Sequence, residues 1–339
     1  GRGFPFYDRQ DRSLVEMVNS VVNLPASDTS LTLLSNLFDP VLHPNGIKRL
    51  AVSREERITY AVVNLLESLE EGSREKRLEA LGTLYDEVLY SAGTEFRINT
   101  GRLLIQIMKE LVRARGNFLL QEKLAHDFRR ASSGNPRIVR KLLASYNLLE
   151  MPEDGSQITF DNHVHDSHTK GRKSPTHLIM DAWVKGIRSL TVVYYNHVEA
   201  GPAHELLEAA RIVGISVRIG IEFSCSFYGR RAKFIWAPQN FASTEEFVSF
   251  LQKPHIEHLM HEGYEVSLFR EGIIFELLDN FNRERHASMN REYDIRLPNL
   301  SRDEFDRFVA RGQASRLHLA EFIFRKMFPL LEKRSLELV

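Results

Sequence analysis

The densest group of side chains that could bind a metal lies in the run Asp161-Asn162-His163-Val164-His165-Asp166-Ser167-His168. The run follows a strand-like segment, and residues two apart in a strand point to the same face, so His163 and His165 share one face. Two imidazoles at the carboxyl end of a strand are suited to a divalent metal. A lone histidine is usually structural, but this pair, with Asp161 and His168 nearby, favours a metal site, present or ancestral.

Glu222 is a second candidate, because it is an acidic residue inside the apolar run from 220 to 224. A buried carboxylate needs either a metal or a cationic partner, such as a neighbouring arginine. The sequence leaves both interpretations open. His197 is a further candidate ligand, whereas His204-Glu205 is expected to be an exposed helix start.

Other chemically capable residues carry weaker signals. His255, His258 and His261 have helical spacing and could chelate a metal, but a mixed helix surface is the favoured interpretation. Cys225 has no evident base partner, so we expect a small buried residue. The sequence contains no G-x-x-x-x-G-K-[ST] loop and no G-x-G-x-x-G turn, so nucleotide cradles of those kinds are not supported.

The elements that must position these residues fall into two regions. From about residue 10 to residue 148 the pattern predicts successive helices, and hence an all-helical domain over residues 1–150. Asn99-Thr100 is predicted to cap one helix, and Gly116 to end it. The apolar stripe of that helix consists of Leu103, Leu104, Ile107, Met108 and Leu111.

A polar cluster at residues 151–156 predicts a domain boundary, followed by an α/β domain over residues 157–339. Short β-rich runs alternate there with helical runs, which implies βαβ units and a parallel sheet. The predicted strands are 157–160, 189–195 and 217–223, and the predicted helices between them are 175–185 and 203–213. Further helices are predicted at 244–253, 257–261, 272–290, 301–311 and 313–328.

Composition bounds the function classes. The 339 residues contain 45 Lys and Arg against 45 Asp and Glu, so the total charge does not favour a strongly charged partner. The single cysteine excludes an internal disulfide and fits a reducing, cytoplasmic location. No apolar run is long enough for a transmembrane helix, so we expect no membrane partner. The chain begins without Met, which suggests a piece of something longer.

Charge is uneven within the helical region. Residues 101–147 contain ten Lys or Arg and three Asp or Glu. One interpretation is a surface for phosphates or nucleic acid. The favoured interpretation is a solvated face that is balanced by the acidic stretch from 67 to 87.

Several segments together resemble the PHP (polymerase and histidinol phosphatase) superfamily, over residues of about 157 to 330. The similarity rests on the order and spacing of the segments rather than on any one of them. The segments are Asp161-Asn162-His163-Val164-His165, Gly171-Arg172-Lys173-Ser174-Pro175, Glu208-Ala209-Ala210-Arg211 before Gly214-Ile215, Gly220-Ile221-Glu222-Phe223-Ser224 and Arg316-Leu317-His318-Leu319-Ala320.

The resemblance implies a distorted TIM-like β/α barrel with two or three divalent metals, Zn, Mn or Fe, and the hydrolysis of a phosphate ester by metal-activated water. It implies metal ligation by His163, His165 and Glu222, with His197 as a further ligand. Supporting or anion-binding roles are expected for a second set of residues. They are Asp161, Lys170, Asn196, Lys233, Arg316 and His318.

Departures from the family pattern bear on that activity. Lys170 stands where the family has Asp, and Lys233 falls near a family His. Tyr194 and Tyr195 replace the Asp and His of a T-D-H-N segment, of which Asn196 survives. A protonated lysine cannot ligate a metal, so an intact trinuclear site is not expected. The two lysines could instead hold a metal-free polar cluster or bind an anion.

The family's late H-P and D-x-H elements are also missing after Ala320, so we expect a barrel that is incomplete at Val339, through truncation or loss. Three functions therefore remain open. The first is a metal-dependent phosphoesterase that acts on a phosphorylated small molecule or nucleotide. The second is a degenerate PHP-like module that binds a ligand or regulates without hydrolysis. The third is a protein that binds nucleic acid or a partner through residues 101–147. The substrate and the oligomeric state are not indicated.

Overall fold

The computed structural model describes residues 7–23, 53–71, 73–91, 96–154, 156, 159–310 and 312–337. Its contacts divide the chain into two compact units. The first unit comprises Gly1–Asp161, Thr176–Leu190 and Glu205–Ser216, and the second comprises Asn162–Pro175, Thr191–His204 and Val217–Val339. The units alternate along the sequence, and the predicted linear division into residues 1–150 and 157–339 stays a prediction.

The N-terminal region is helical, as predicted. Asn117 and Asn135 cap two of its helices through their side chains, and Pro136 is the first residue of the second of these. Gly116 has φ +85°, which suits the end of the preceding helix. The helices are α1 (Arg9–Asn23), α2 (Arg54–Glu71), α3 (Arg74–Ser91), α4 (Arg97–Arg113), α5 (Phe118–Ser132) and α6 (Pro136–Ser145).

The predicted stripe of α4 is buried, with all five residues fully removed from solvent. The predicted cap is wrong, because α4 begins at Arg97 rather than after Asn99-Thr100. The Glu153 carboxylate accepts hydrogen bonds from the N–H groups of Ile98 and Asn99, at 2.7 Å and 3.0 Å. A carboxylate from a later segment therefore satisfies the first free N–H groups of α4.

Three strands and two helices follow in alternation, and a further strand completes a four-stranded sheet of order β1-β2-β3-β4. The α/β class is confirmed, whereas the residues that the structure describes show no closed barrel. The elements are β1 (Phe160–Val164), α7 (Pro175–Lys185), β2 (Ser189–Tyr195), α8 (Ala200–Val213), β3 (Ser216–Phe227) and β4 (Arg230–Trp236).

The first three strands are parallel. Thr159 O, just before β1, accepts from Arg188 N and Ser189 N at the start of β2. Asn196 N, just after β2, donates to Glu222 O near the end of the parallel part of β3. The first residues of neighbouring strands therefore lie side by side, and so do the last residues. As a result, the side chains that follow β1 and β2 meet at one edge of the sheet.

Strand β4 was not among the strands predicted from periodicity, and it pairs antiparallel with β3. Tyr228 and Gly229 form the two-residue connection, and both have positive φ, at 49° and 73°. Two such residues in succession are the signature of a type I′ hairpin turn. The hairpin makes β3 longer than the predicted strand, which ended at residue 223.

The rest of the chain is helical. Two predicted helices, 257–261 and 272–290, are wrong in extent, because one helix spans the first and the gap between them. The elements are α9 (Thr244–Leu251), α10 (Pro254–Asn280), a π-helical turn (Phe281–Arg285), α11 (His286–Tyr293), α12 (Arg302–Val309) and α13 (Arg316–Glu337). Their shared core includes Leu278, Leu297, Phe305 and Phe322.

Buried ion pairs connect helices of the first unit to one another. Arg77 of α3 bonds Glu205 of α8 through two hydrogen bonds, and Lys109 of α4 bonds Asp181 of α7. The expectation of an exposed helix start at His204-Glu205 is therefore wrong for Glu205, which is fully buried. None of the helices that the structure describes combines the length and hydrophobicity needed to cross a membrane.

Candidate functional site

His163 and His165 lie together at the end of β1, as predicted from strand alternation. Their rings pack edge to face with centroids 5.0 Å apart. His163 Nε2 lies 3.9 Å from Glu222 Oε2 of β3. The structure thus brings three of the predicted ligands into one group. We call this group, together with Tyr195, Lys170 and Lys233, the strand-end cluster.

Both ring nitrogens of His165 have partners. Nδ1 lies 2.7 Å from the Val193 carbonyl oxygen, which can only accept, so Nδ1 carries the proton. Nε2 is then an acceptor, and the Tyr195 hydroxyl lies 3.3 Å from it. Burial lowers the pKa of His165, and the positive charge of Lys170 lowers it further. The His165 imidazole is therefore neutral at neutral pH.

Glu222 is paired with a lysine. Lys233 Nζ donates to Glu222 Oε1 at 2.7 Å, and only 9% of the Glu222 side chain is exposed, against 70% for Lys233. In the hairpin register Ser224 faces Lys233 and Glu222 faces Ile235, so these residues share a face of the hairpin. The hydrogen bond that Lys233 donates to Glu222, more than the charge of Glu222, raises the pKa of Lys233.

Lys170 reaches the same cluster from the turn after β1. Its Nζ lies 5.4 Å from the centroid of the Tyr195 ring, which is cation–π distance. The turn is closed by Gly171 N, which donates to Asp166 O at 2.8 Å. A Cβ at residue 171 would lie 2.3 Å from His165 O and 2.6 Å from Asp166 O. Only glycine fits at this position, and this fixes where the chain presents Lys170.

Asp166 is a residue to which the sequence assigned no role. It is fully buried, and it accepts hydrogen bonds from the Tyr194 hydroxyl at 2.5 Å and from His168 N at 2.8 Å. Tyr194 thus anchors the turn that follows β1. The pairing joins residues 28 apart in sequence, so only the parallel strand order could have indicated it.

Asn196 and His197 face helix α10. Asn196 is buried with φ +64°, and its side chain donates to Ser267 Oγ at 3.4 Å. His197 Nδ1 lies 3.3 Å from the same Ser267 oxygen, and its ring packs on Tyr264 at 5.3 Å. Burial lowers the pKa of His197. His197, proposed from the sequence as a ligand, is thus engaged by α10.

The remaining predicted site residues come from β1 and from helix α13. Asp161 lies within β1, two residues before His163, and is half-buried. Arg316 is exposed at the first residue of α13. His318 is half-buried in α13, where burial lowers its pKa, and its N–H donates to Ser315 Oγ at 3.2 Å. Gln313, unassigned from sequence, donates from Nε2 to Tyr195 O at 3.1 Å and supports the end of β2.

The weaker candidates are placed as follows. Cys225 is exposed rather than buried, because β3 extends into the hairpin. His255, His258 and His261 are exposed on α10, the last two near Glu262 and Glu265. Much of the basic stretch is paired: Lys109 with Asp181, Lys123 with Asp127, Arg129 with Asp8 and Asp11, and Arg140 with Glu150.

The strand-end cluster does not fit a divalent metal. The Nε2 lone pair of His165 faces a hydroxyl donor, and the Glu222 carboxylate is neutralised by Lys233. A further cation would sit beside the Lys233 ammonium, at a Coulombic cost of several kcal/mol at an effective dielectric of about 20. Within the described part of the chain, no three His, Cys, Asp or Glu side chains are placed to hold a metal.

The buried histidines predict acid sensitivity of the fold. Burial lowers the pKa of His165, His197 and His318 below 6.5. Between each lowered value and 6.5 the unfolded chain binds more protons at these histidines than the folded chain does, so their contribution lowers stability as pH falls below 6.5. Urea unfolding is expected to give a smaller free energy at pH 5.5 than at pH 7.5.

His318→Gln should reduce that pH dependence, whereas His255→Gln on the exposed surface of α10 should leave it unchanged. An unfolding free energy that is equal at both pH values would refute the expectation.

No family model matches this chain, and no curated protein matches it. Among solved structures it is similar to the crystal structure of a candidate metal-dependent phosphoesterase from Bifidobacterium adolescentis, with 17% identity and a TM-score of 0.34. The similarity covers 50% of each chain, so this chain spans about half the length of the structure that it matches. At these values the likeness carries no argument about fold or activity.

Proposed function

We propose that this chain is a PHP-like module that binds a phosphate-bearing ligand at the strand-end cluster without hydrolysing it. The observation that carries the proposal is the ion pair between Lys233 and Glu222, at 2.7 Å. It occupies the carboxylate that metal-dependent hydrolysis would need. The proposal includes descent from a barrel of the PHP type.

The charge of the cluster supports an anionic ligand. Lys170 and Lys233 contribute two ammonium groups against the one carboxylate of Glu222, while His165 is neutral. An ammonium has three donors, so Lys233 can bond Glu222 and a ligand oxygen together. Arg270 of α10 is close enough to lower the pKa of Lys233 slightly, which adds positive potential there.

The tyrosine and the neutral imidazole would orient the ligand. The Tyr195 hydroxyl is a donor beside His165, and Lys170 lies over the Tyr195 ring. Charge-assisted hydrogen bonds from ammonium groups to phosphate oxygens are among the stronger polar interactions in proteins. Because the side chains of Lys170 and Lys233 are exposed, an anion can approach them without desolvating the sheet.

The competing function is a metal-dependent phosphoesterase that uses Zn, Mn or Fe. The convergence of His163, His165 and Glu222 favours it. Elemental analysis after loading with Mn²⁺ or Zn²⁺ separates the two functions. We expect the purified chain to retain less than one equivalent of metal. One equivalent in the wild type, lost in His163→Ala and His165→Ala, together with turnover of a phosphate monoester, would overturn our proposal.

Calorimetric titration with inorganic phosphate at low ionic strength tests binding directly. We expect saturable binding that weakens with added salt. Lys233→Gln and Lys170→Gln should each weaken it about tenfold, because each removes a charged hydrogen-bond donor.

Lys333→Gln, an exposed position on α13, is the matched control and should bind phosphate as the wild type does. Absence of binding in the wild type, or equal affinity in Lys233→Gln and wild type, would contradict the proposal.

Nucleic-acid or partner binding through residues 101–147 stays a prediction, as does a cytoplasmic location. Arg129, one of the basic residues of this stretch, contacts Asp8 and Asp11. An Arg129 variant loses these ion pairs as well as any phosphate contact. Its loss of nucleic-acid binding therefore has to be compared with the loss in Arg130→Gln.

A further inference from the structure

A cavity lies in the second unit, beside helix α10. Its volume is about 170 Å³, which exceeds the room that a single water molecule requires. We call it the α10 pocket. Its polar walls come from His168 after β1, His197 and Glu199 after β2, and Tyr264, Ser267 and Glu271 of α10.

The formal charges of the pocket walls are negative. Glu199 and Glu271 are its acidic residues, and the described lining contains neither Lys nor Arg. His197 does not offset them, because burial lowers its pKa and keeps the imidazole neutral. The pocket therefore differs in sign from the strand-end cluster, where lysines dominate.

Glu271 is held in a surrounding that disfavours its charge. The residue is half-buried, and burial raises the pKa of its carboxyl, with a smaller contribution in the same direction from Asp306. A carboxylate placed like this gains most from a ligand that brings a positive charge.

Apolar and aromatic walls complete the pocket. Val198, Pro202 and Leu268 also line it and suit a short alkyl chain. Tyr264 and Tyr194 present aromatic surface, and aromatic faces attract ammonium ions.

We propose that the α10 pocket binds a small organic ammonium ion, with the Glu271 carboxylate as its counter-charge and the alkyl chain against Leu268. A divalent metal fits less well, because the described residues place no three ligands together. The site is independent of the proposed anion site, so either can fail alone.

Titration of the full chain with butylammonium, followed by calorimetry at pH 7.5, tests the proposal. Its neutral counterpart 1-butanol serves as the matched ligand. We expect saturable binding of butylammonium and none of 1-butanol at the same concentrations. Glu271→Gln should weaken butylammonium binding by about tenfold or more, because a charged hydrogen bond is lost.

Glu265→Gln, on an exposed turn of the same helix, should retain the wild-type affinity. Leu268→Trp, which fills the pocket from a partly exposed position, should abolish binding without altering a buried core residue. Equal binding of the two ligands, absence of binding in the wild type, or equal losses in the two glutamate variants would overturn the proposal.

Discussion

Replacing Arg77 by methionine is expected to lower the free energy of unfolding by about 3–5 kcal/mol, because it leaves the Glu205 carboxylate buried without its charge partner. Arg77 is 2% exposed and Glu205 is fully buried. The pair is bidentate, with hydrogen bonds of 2.8 Å and 2.6 Å, and Thr176 Oγ1 adds a third at 2.8 Å. Urea unfolding of wild type and variant measures the loss.

The pKa of Glu205 supports the same expectation. Burial would raise it, but the hydrogen bonds from Arg77 and Thr176 hold it below 4.5. Without Arg77, burial prevails and the carboxyl takes up a proton at higher pH. The loss in Arg77→Met should therefore be smaller at acidic pH than at neutral pH.

Two further variants make the experiment specific. Arg211→Met removes an arginine from α8, the helix that carries Glu205. The Arg211 side chain is 71% exposed beside Glu208, so this variant should lower the free energy of unfolding by less than about 1 kcal/mol. The double variant Arg77→Met with Glu205→Leu should recover most of the loss, since an apolar pair can replace a buried ion pair. A loss in Arg77→Met as small as that in Arg211→Met would refute the argument.

Gly171→Ala is expected to lower the free energy of unfolding by about 1–3 kcal/mol, as overpacking does. The added Cβ would meet backbone oxygens of His165 and Asp166 at 2.3 Å and 2.6 Å, and backbone cannot move aside as a flexible side chain can. The turn that carries Lys170 must shift, so phosphate binding at the strand-end cluster should weaken in the same variant. Urea unfolding and calorimetry measure the two effects.

Gly272→Ala is the matched control in the same unit. Gly272 lies within α10, and a Cβ there would meet nothing within 4 Å. Alanine favours a helix over glycine by about 0.5–1 kcal/mol, so this variant should be slightly more stable than wild type. If both variants lose stability, the second unit does not tolerate alanine in place of glycine generally, and the close approach of backbone oxygens at Gly171 is not the cause.

The local part of the site was predictable from sequence. Strand alternation placed His163 and His165 on one face, and their rings are in contact. The alternation of β and α runs gave the order of β1, β2 and β3. Both predictions depend on residues within a few positions of each other, for which periodicity is informative.

The partners of the charged residues were not predictable in the same way. Glu222 was expected to have a metal or an arginine as its partner, or to lie in a metal-free polar cluster with Lys170 and Lys233. Its observed partner is Lys233, and that contact depends on the register of a hairpin that periodicity did not predict. The local signal for that hairpin, Tyr228-Gly229, is weak, because tyrosine is not among the residues that usually mark such turns. Arg77 and Glu205 are 128 residues apart, so no local pattern joins them.

The position of β4 at the edge of the sheet has a consequence for colloidal behaviour. An edge strand offers backbone donors and acceptors on which another chain can assemble, and basic side chains along it oppose that assembly. Arg230, Arg231 and Lys233 lie on β4, beside the exposed aromatic rings of Phe227 and Phe234. Because these cations oppose assembly at an edge that carries exposed aromatic rings, a variant that neutralises Lys233 should both bind phosphate more weakly and aggregate more readily.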